Sequence, residues 1–140
     1  AEVAHAHGVT VVLNPAPAPA EPLPAHLLSL VDVLIPNETE TSLLTGLPVE
    51  DLNQAEAAAT KLRKGGVDTV VLTLGAEGAL LVQDITELVP PFRVTPVDTT
   101  GAGDTFVGGF GTALAQGKSL LEAIRWGNGA GALATTKLGA

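Results

Sequence analysis

The sequence predicts an α/β fold built on a mostly parallel sheet. Short apolar, β-branched runs recur at residues 9–13, 32–36 and 68–74. They lack the polar alternation of a half-exposed strand, as strands covered on both faces do. Between them lie stretches with helical spacing and cap residues, most clearly 52–64 and 120–134. Strands and helices that alternate in this way belong to α/β architectures.

Taken in order, Ala1 to Gly8 reads as the tail of a helix that stops at Gly8. Residues 9–13 form the first buried strand. Asn14-Pro15-Ala16-Pro17-Ala18-Pro19 is a stiff loop, because each proline pushes its predecessor toward extended geometry. It leaves the carboxyl end of a strand, where open α/β sheets bind ligands, although a plain spacer would look the same. A short helix over 26–31 and a second strand over 32–36 follow. Asn37 with Glu40 three residues on is close to a capping box, which explains both residues locally. Facing a phosphate and its cation is the other reading of the same pair. That helix ends near Gly46, with Pro48 just beyond.

Residues 52–64 make an alanine-rich helix stopped by Gly65-Gly66, and 68–74 make the third strand. Gly75-Ala76-Glu77-Gly78 is the turn at its end. Residues 79–83 and 86–89 read as an antiparallel hairpin around Asp84-Ile85. A helix from about Asp104 stops near Gly117, and Ser119 with Glu122 caps the last one, to about Ala134. Gly127, Gly129 and Gly131 weaken that last helix by roughly 1 kcal/mol each relative to Ala. They suit close approach by a neighbouring helix or by a flat ligand ring. The run Gly127-Asn128-Gly129-Ala130-Gly131 is not a dinucleotide fingerprint, since no strand precedes it.

The chain is organised around Val97-Asp98-Thr99-Thr100-Gly101-Ala102-Gly103-Asp104-Thr105-Phe106. It reads as an extended segment, a glycine turn and a helix start. Without Cβ atoms, Gly101 and Gly103 let a ligand approach the backbone. The free N–H groups of a helix start and its dipole then favour an anion there. Asp104 is either an acid placed well in a first helical turn or a base beside the bound anion. In the second reading Gly101, Ala102 and Gly103 gather charge as an oxyanion hole does, and Asp104 takes the proton of an attacking hydroxyl.

Composition excludes other classes. Seven basic against fifteen acidic residues give a net charge of -8, which disfavours nucleic acid as a partner. The densest basic cluster is Lys61-Leu62-Arg63-Lys64, at a helix end. No apolar run nears the ~20 residues of a membrane span. The absence of cysteine removes thiolate catalysis and Cys-based zinc sites and suits a cytosolic setting. His5, His7 and His26 form no metal-ligand pattern. There is no Walker motif and no protein-kinase glycine loop. No methionine begins the chain and no finishing element follows Leu138-Gly139-Ala140, so the sequence reads as part of a longer protein.

Thr-Thr-Gly-Ala-Gly-Asp-Thr-Phe, residues 99–106, resembles the C-terminal signature of the ribokinase family of sugar kinases. Leu13-Asn14-Pro15-Ala16-Pro17-Ala18, Pro36-Asn37-Glu38-Thr39-Glu40 and Thr73-Leu74-Gly75-Ala76-Glu77-Gly78 match in the same order. The resemblance implies a three-layer αβα domain, of which residues 1–140 would be the nucleotide-binding and catalytic part. The sugar-binding half, its lid and a final C-terminal segment would lie elsewhere. It implies ATP and a small sugar as partners, Mg²⁺ and K⁺ as ions, and a homodimer for the whole protein. Asn37 would contact phosphate and Glu40 would serve Mg²⁺. Thr73, Leu74, Gly75, Ala76, Glu77 and Gly78 would lie along ATP, with Gly103 and Asp104 at its phosphates and Asn128 at adenine. Asp98 and the carbonyls of Thr100, Ala134, Lys137 and Gly139 would surround K⁺, although Asp98 also reads as a plain strand-end acid. Asp104 would touch the sugar. Transfer of the γ-phosphate to a sugar hydroxymethyl is the implied reaction, D-ribose first, with fructose, 2-keto-3-deoxygluconate or a nucleoside such as adenosine as alternatives. A non-catalytic nucleotide-binding module and a fragment held by partner chains are the readings from other classes.

Overall fold

The computed structural model describes residues 1–139; Ala140 lies outside the described residues. The chain divides into two compact units, Ala1–Thr73 with Leu80–Glu87, and Leu74–Ala79 with Leu88–Ala140.

The first unit holds helices α1 (Glu2–Ala6), α2 (Ala25–Leu28), α3 (Glu38–Thr45) and α4 (Leu52–Lys64). Its strands are β1 (Val12–Leu13), β2 (Val33–Leu34), β3 (Thr69–Thr73) and β4 (Ala79–Val82, whose first residue belongs to the second unit). β5 (Thr86–Val89) begins here and ends in the second unit. The sheet order is β1-β2-β3-β4-β5. β1 and β2 are parallel, with Val12 opposite Val33, and so are β2 and β3, with Val33 opposite Thr69. β4 and β5 are neighbours joined only by residues 83–85, a connection short enough for an antiparallel hairpin alone. The fold is α/β with a mostly parallel sheet, as the sequence predicts.

Burial follows the unbroken apolar runs. Leu34, Ile35, Val70, Val71 and Leu72 have no exposed surface, as central parallel strands require. Against them α4 turns Ala55, Ala58, Ala59 and Leu62, one face at helical spacing. Asp51 caps α4 by accepting from Gln54 N at 2.8 Å. At its other end the guanidinium of Arg63 donates to the carbonyls of Asp68 and Gln83 and pairs with Asp84, tying the helix to the β4–β5 turn.

Several elements are shorter than expected: β3 and β4 lose one or two end residues, and β1, β2 and α2 differ for reasons visible in their hydrogen bonds. Only Val12 and Leu13 of the first run join the ladder, because Val9 N is spent on Ala4 O and Val11 N on the Asp32 carboxylate. β2 keeps two residues of five, flanked by the bond from Ile35 N to Leu13 O. α2 runs over 25–28 rather than 26–31, since Leu30 and Val31 bond three residues back and tighten the chain into turns.

The second unit is dominated by α5 (Ala102–Ala115) and α6 (Leu120–Ala134). Gly117, at φ 75°, turns the chain between them, and the Ser119–Glu122 capping box starts α6. Their contact explains two of the α6 glycines. A Cβ at Gly127 would fall 2.8 Å from the Phe106 ring, and one at Gly131 would fall 3.1 Å from Ala102 O. From the α5 side, a Cβ at Gly109 would meet Ala130 Cβ at 2.8 Å. Gly129 instead lies against Phe92, at an ordinary 3.5 Å. So a neighbouring helix accounts for 127 and 131, and an aromatic side chain for 129.

This packing predicts opposite signs for two alike substitutions. Gly127→Ala drives a methyl into the Phe106 ring and should cost about 1–3 kcal/mol in urea denaturation. Gly111→Ala, with nothing within 4 Å of the new methyl, should instead gain up to about 1 kcal/mol.

Candidate functional site

The organising stretch folds as its residue types require. Gly101 sits left-handed at φ 73°, ψ 3°, and turns the chain into α5. Its carbonyl accepts from both Thr105 N and Thr105 Oγ1, at 2.9 and 2.8 Å. Ala102 N donates back to Thr99 O at 3.2 Å. Among the described residues the N–H groups of Gly103 and Asp104 meet no acceptor. Both residues are exposed. A carboxylate therefore stands in solvent beside two unpaired amides and the positive end of a 14-residue helix. That is the combination an anion and an attacking hydroxyl can share.

Asp98 fixes the loop before the cradle. Its Oδ1 accepts from Thr100 N at 2.9 Å and Thr100 Oγ1 at 2.7 Å, and its Oδ2 accepts from Gly139 N at 3.0 Å. The Thr100 amide above all, then the Gly139 amide and the Thr100 hydroxyl, hold its pKa down to about 2. Val97 N and Asp98 N both donate to Thr135 O, at 2.7 and 3.1 Å. Of the residues expected around K⁺, Asp98 and Gly139 are thus bonded to each other, and 97–98 is bonded to Thr135 after α6. Ala134 O accepts from Lys137 N at a long 3.4 Å, while Thr100 O and Lys137 O accept nothing among the described residues. Carbonyl and carboxylate oxygens are the donor set a hard monovalent cation takes, so this group fits one.

Further along the same unit, Gly75–Glu77 is a 3₁₀ turn with Gly75, Ala76 and Glu77 exposed. Leu74 N closes it onto Gly78 O at 2.8 Å. Gly78, at φ 99°, is buried, and a Cβ there would sit 2.3 Å from Val89 O. The residue is glycine because another backbone segment crosses it. Asn128 is also buried, and its Nδ2 donates to Val89 O at 3.1 Å and Pro90 O at 3.0 Å. Both amide hydrogens are committed, which leaves only Oδ1 for any ring.

In the first unit, Asn37 and Glu40 form a complete capping box: Glu40 N donates to Asn37 Oδ1 at 2.8 Å, and Asn37 N to Glu40 Oε2 at 2.9 Å. The local reading of this pair is therefore correct, and it still leaves chemistry. Asn37 Nδ2 and Glu40 Oε1 have no partner among the described residues. The first suits a phosphate oxygen and the second a hard cation or its water. Thr73 stands beside them, bridged to Asn37 in parallel register, with its N–H on Pro36 O at 2.9 Å. Among the described residues no three His, Cys, Asp or Glu side chains gather as a metal cluster. A divalent ion would accordingly rest on Glu40 with phosphate and water oxygens.

Residues 1–140 match the description pfkB family carbohydrate kinase. The chain belongs to that family. Among pfkB family proteins it is 48% identical over 141 residues to the ribokinase of Haemophilus influenzae, covering all of this chain and 45% of that protein. It is 42% identical over 120 residues to the deoxyribokinase of Salmonella typhi, across 85% of this chain and 39% of that one. The structure of Arabidopsis thaliana ribokinase complexed with ribose and ATP superposes with a TM-score of 0.92 at 37% identity, over 99% of this chain and 45% of that chain. The chain thus spans somewhat under half the length of these pfkB relatives. No helix among the described residues is long and apolar enough to cross a membrane.

One contributor escaped the sequence reading. Thr105 anchors Gly101 twice, and its signal was a threonine four residues after a helix-start glycine, positioned to bond back. A test of the turn follows from Gly78. Gly78→Ala combines a clash with backbone and a dihedral that other residues rarely adopt, so it should cost at least about 2 kcal/mol. Chemical denaturation measures it, and a change within 0.5 kcal/mol, as at an ordinary surface site, would contradict the crossing of backbones at that point.

Proposed function

We propose that the chain is the nucleotide-binding and phosphoryl-transfer part of an ATP-dependent sugar kinase. The observation that carries this reading is the exposed Asp104 carboxylate beside the unpaired amides of Gly103 and Asp104. Phosphoryl transfer asks a protein mainly for alignment and charge compensation. The amides after Gly101 supply compensation where negative charge grows. Asp104 accepts the proton of the sugar hydroxymethyl as its oxygen bonds to the γ-phosphorus. The bond from phosphorus to the bridging oxygen breaks, ADP leaves with the electron pair, and the proton passes from Asp104 to solvent.

The remaining roles are assigned on the same basis. Asn37 Nδ2 donates to phosphate, and Glu40 holds Mg²⁺, which neutralises phosphate charge when bound. Thr73 through Gly78 lie along ATP, and Asn128 offers Oδ1 to adenine. Asp98 and the carbonyls of Thr100, Ala134, Lys137 and Gly139 hold K⁺, which braces the loop at a distance from the reacting atoms. D-Ribose is the first choice of sugar, supported by the identity to ribokinases. The identity to a deoxyribokinase favours a second reading, a related sugar taken by the same machinery. A homodimer is the proposed state of the whole protein.

The test is Asp104→Asn in the whole kinase. It should lower kcat by about 10²–10⁴-fold, the range of a lost general base, with KM for ATP nearly unchanged. Full turnover in this variant would defeat the role assigned to Asp104.

A further inference from the structure

We infer that Asn14 is a positioning residue: its side-chain amide stands in for a backbone N–H that Pro15 lacks, and so fixes the chain entering α3, where Asn37 and Glu40 present their free atoms. Its bearing on catalysis rests on the function proposed above; the hydrogen bond itself does not. β1 and β2 run parallel with Val12 opposite Val33 and Leu13 opposite Leu34, and Ile35 N donates to Leu13 O at 2.8 Å. The next bond of a parallel ladder would run from the N–H of residue 15 to Ile35 O. Residue 15 is proline and has no N–H. Asn14 Nδ2 takes that acceptor instead, at 2.6 Å. Because the partner is a carbonyl, the NH₂ group of Asn14 must face it. Ile35 has no exposed surface, so its carbonyl without a donor would carry the cost of a buried unsatisfied group. The peptide after β2 is held from both sides. Asn14 grips Ile35 O from the β1 side, and Thr73 N of β3 donates to Pro36 O at 2.9 Å. Asn37, next in sequence, is bridged to Thr73 and forms the capping box with Glu40. All of these residues belong to the first unit. What holds 35–36 therefore sets where Asn37 Nδ2 and Glu40 Oε1 point.

The experiment uses the whole kinase and has two readouts. The first is amide hydrogen exchange without ATP or sugar. In Asn14→Ala the Asn37 and Glu40 amides should exchange about tenfold faster, while those of Ala58 and Ala59 in α4 stay protected and show that the variant folds. The second is the Mg²⁺ dependence of the rate. The Mg²⁺ concentration for half-maximal turnover should rise about tenfold or more in Asn14→Ala, with KM for the sugar nearly unchanged. Asn14→Asp separates positioning from direct contact with the ion. It turns an oxygen toward Ile35 O, so it should be impaired at least as much as Asn14→Ala. A direct ligand would instead hold Mg²⁺ more tightly as a carboxylate. Changing the proline as well should rescue. With Asn14→Ala and Pro15→Ala together, residue 15 regains an N–H for Ile35 O, and both readouts should return toward wild type.

Unchanged exchange at Asn37 and Glu40 in Asn14→Ala, a lower Mg²⁺ requirement in Asn14→Asp, or a double variant no better than Asn14→Ala would each overturn the inference. If Asn14→Ala does not fold, Asn14→Asp and the double variant decide. The exchange readout needs no turnover, so faster exchange and its rescue in a protein without kinase activity would count against the proposed function alone.

Discussion

Two amide hydrogens without a partner among the described residues, on Gly103 and Asp104, are the constraint around which the second unit is arranged. Every helix leaves such groups at its start, and most find a side-chain cap or water. Here the capping position is Gly101, which has no side chain to offer. What α5 lacks in a cap it has in supports that fix its first turn from outside. Thr105 holds Gly101 O, Asp98 holds Thr100, and Gly131 of α6 seats Ala102 O. The donors are therefore aimed without being used. A rigid, unsatisfied donor pair binds an anion at little cost in ordering, whereas a flexible loop would have to be organised first.

The other glycines of this unit serve the same end by different physics. Gly127 and Gly131 let α6 lie so close to α5 that Phe106 and Ala102 fill the space their side chains would take. Phe106 also stacks nearly parallel to Phe110, one turn on along α5, with centroids 6.3 Å apart. The helix propensity lost at α6 is offset by packing that fixes α5 lengthwise, and the height of the cradle with it. In the first unit, Asn37 and Glu40 show that a structural and a chemical role are compatible. One oxygen of each caps α3, and the other polar atom of each remains available.

Much of this was legible from residue order. The long helices, the buried strands and the glycine-terminated α3 follow from periodicity and caps, which act over four or five residues. The conformation of Gly101 and the exposure of Asp104 also follow from a glycine turn opening a helix. The lengths of β1 and β2 did not, because Val9 and Val11 bond to Ala4 and the Asp32 side chain rather than to a strand. Nor did the reason for Gly78, which is the carbonyl of Val89. Each depends on a chain segment remote in sequence, whereas the neighbouring helix behind Gly131 was foreseen. Asn128 is the clearest case: the family resemblance marks it for adenine, and its amide is spent on two backbone carbonyls.

Whether the unpaired amides collect phosphate decides what the second unit can do. An ATP titration of the ¹⁵N-labelled protein, read amide by amide, addresses this directly. The Gly103 and Asp104 resonances should show the largest saturable shifts, and inorganic phosphate should move the same two at higher concentration. Saturable binding of ATP that leaves both resonances in place would show that the start of α5 is not a phosphate cradle.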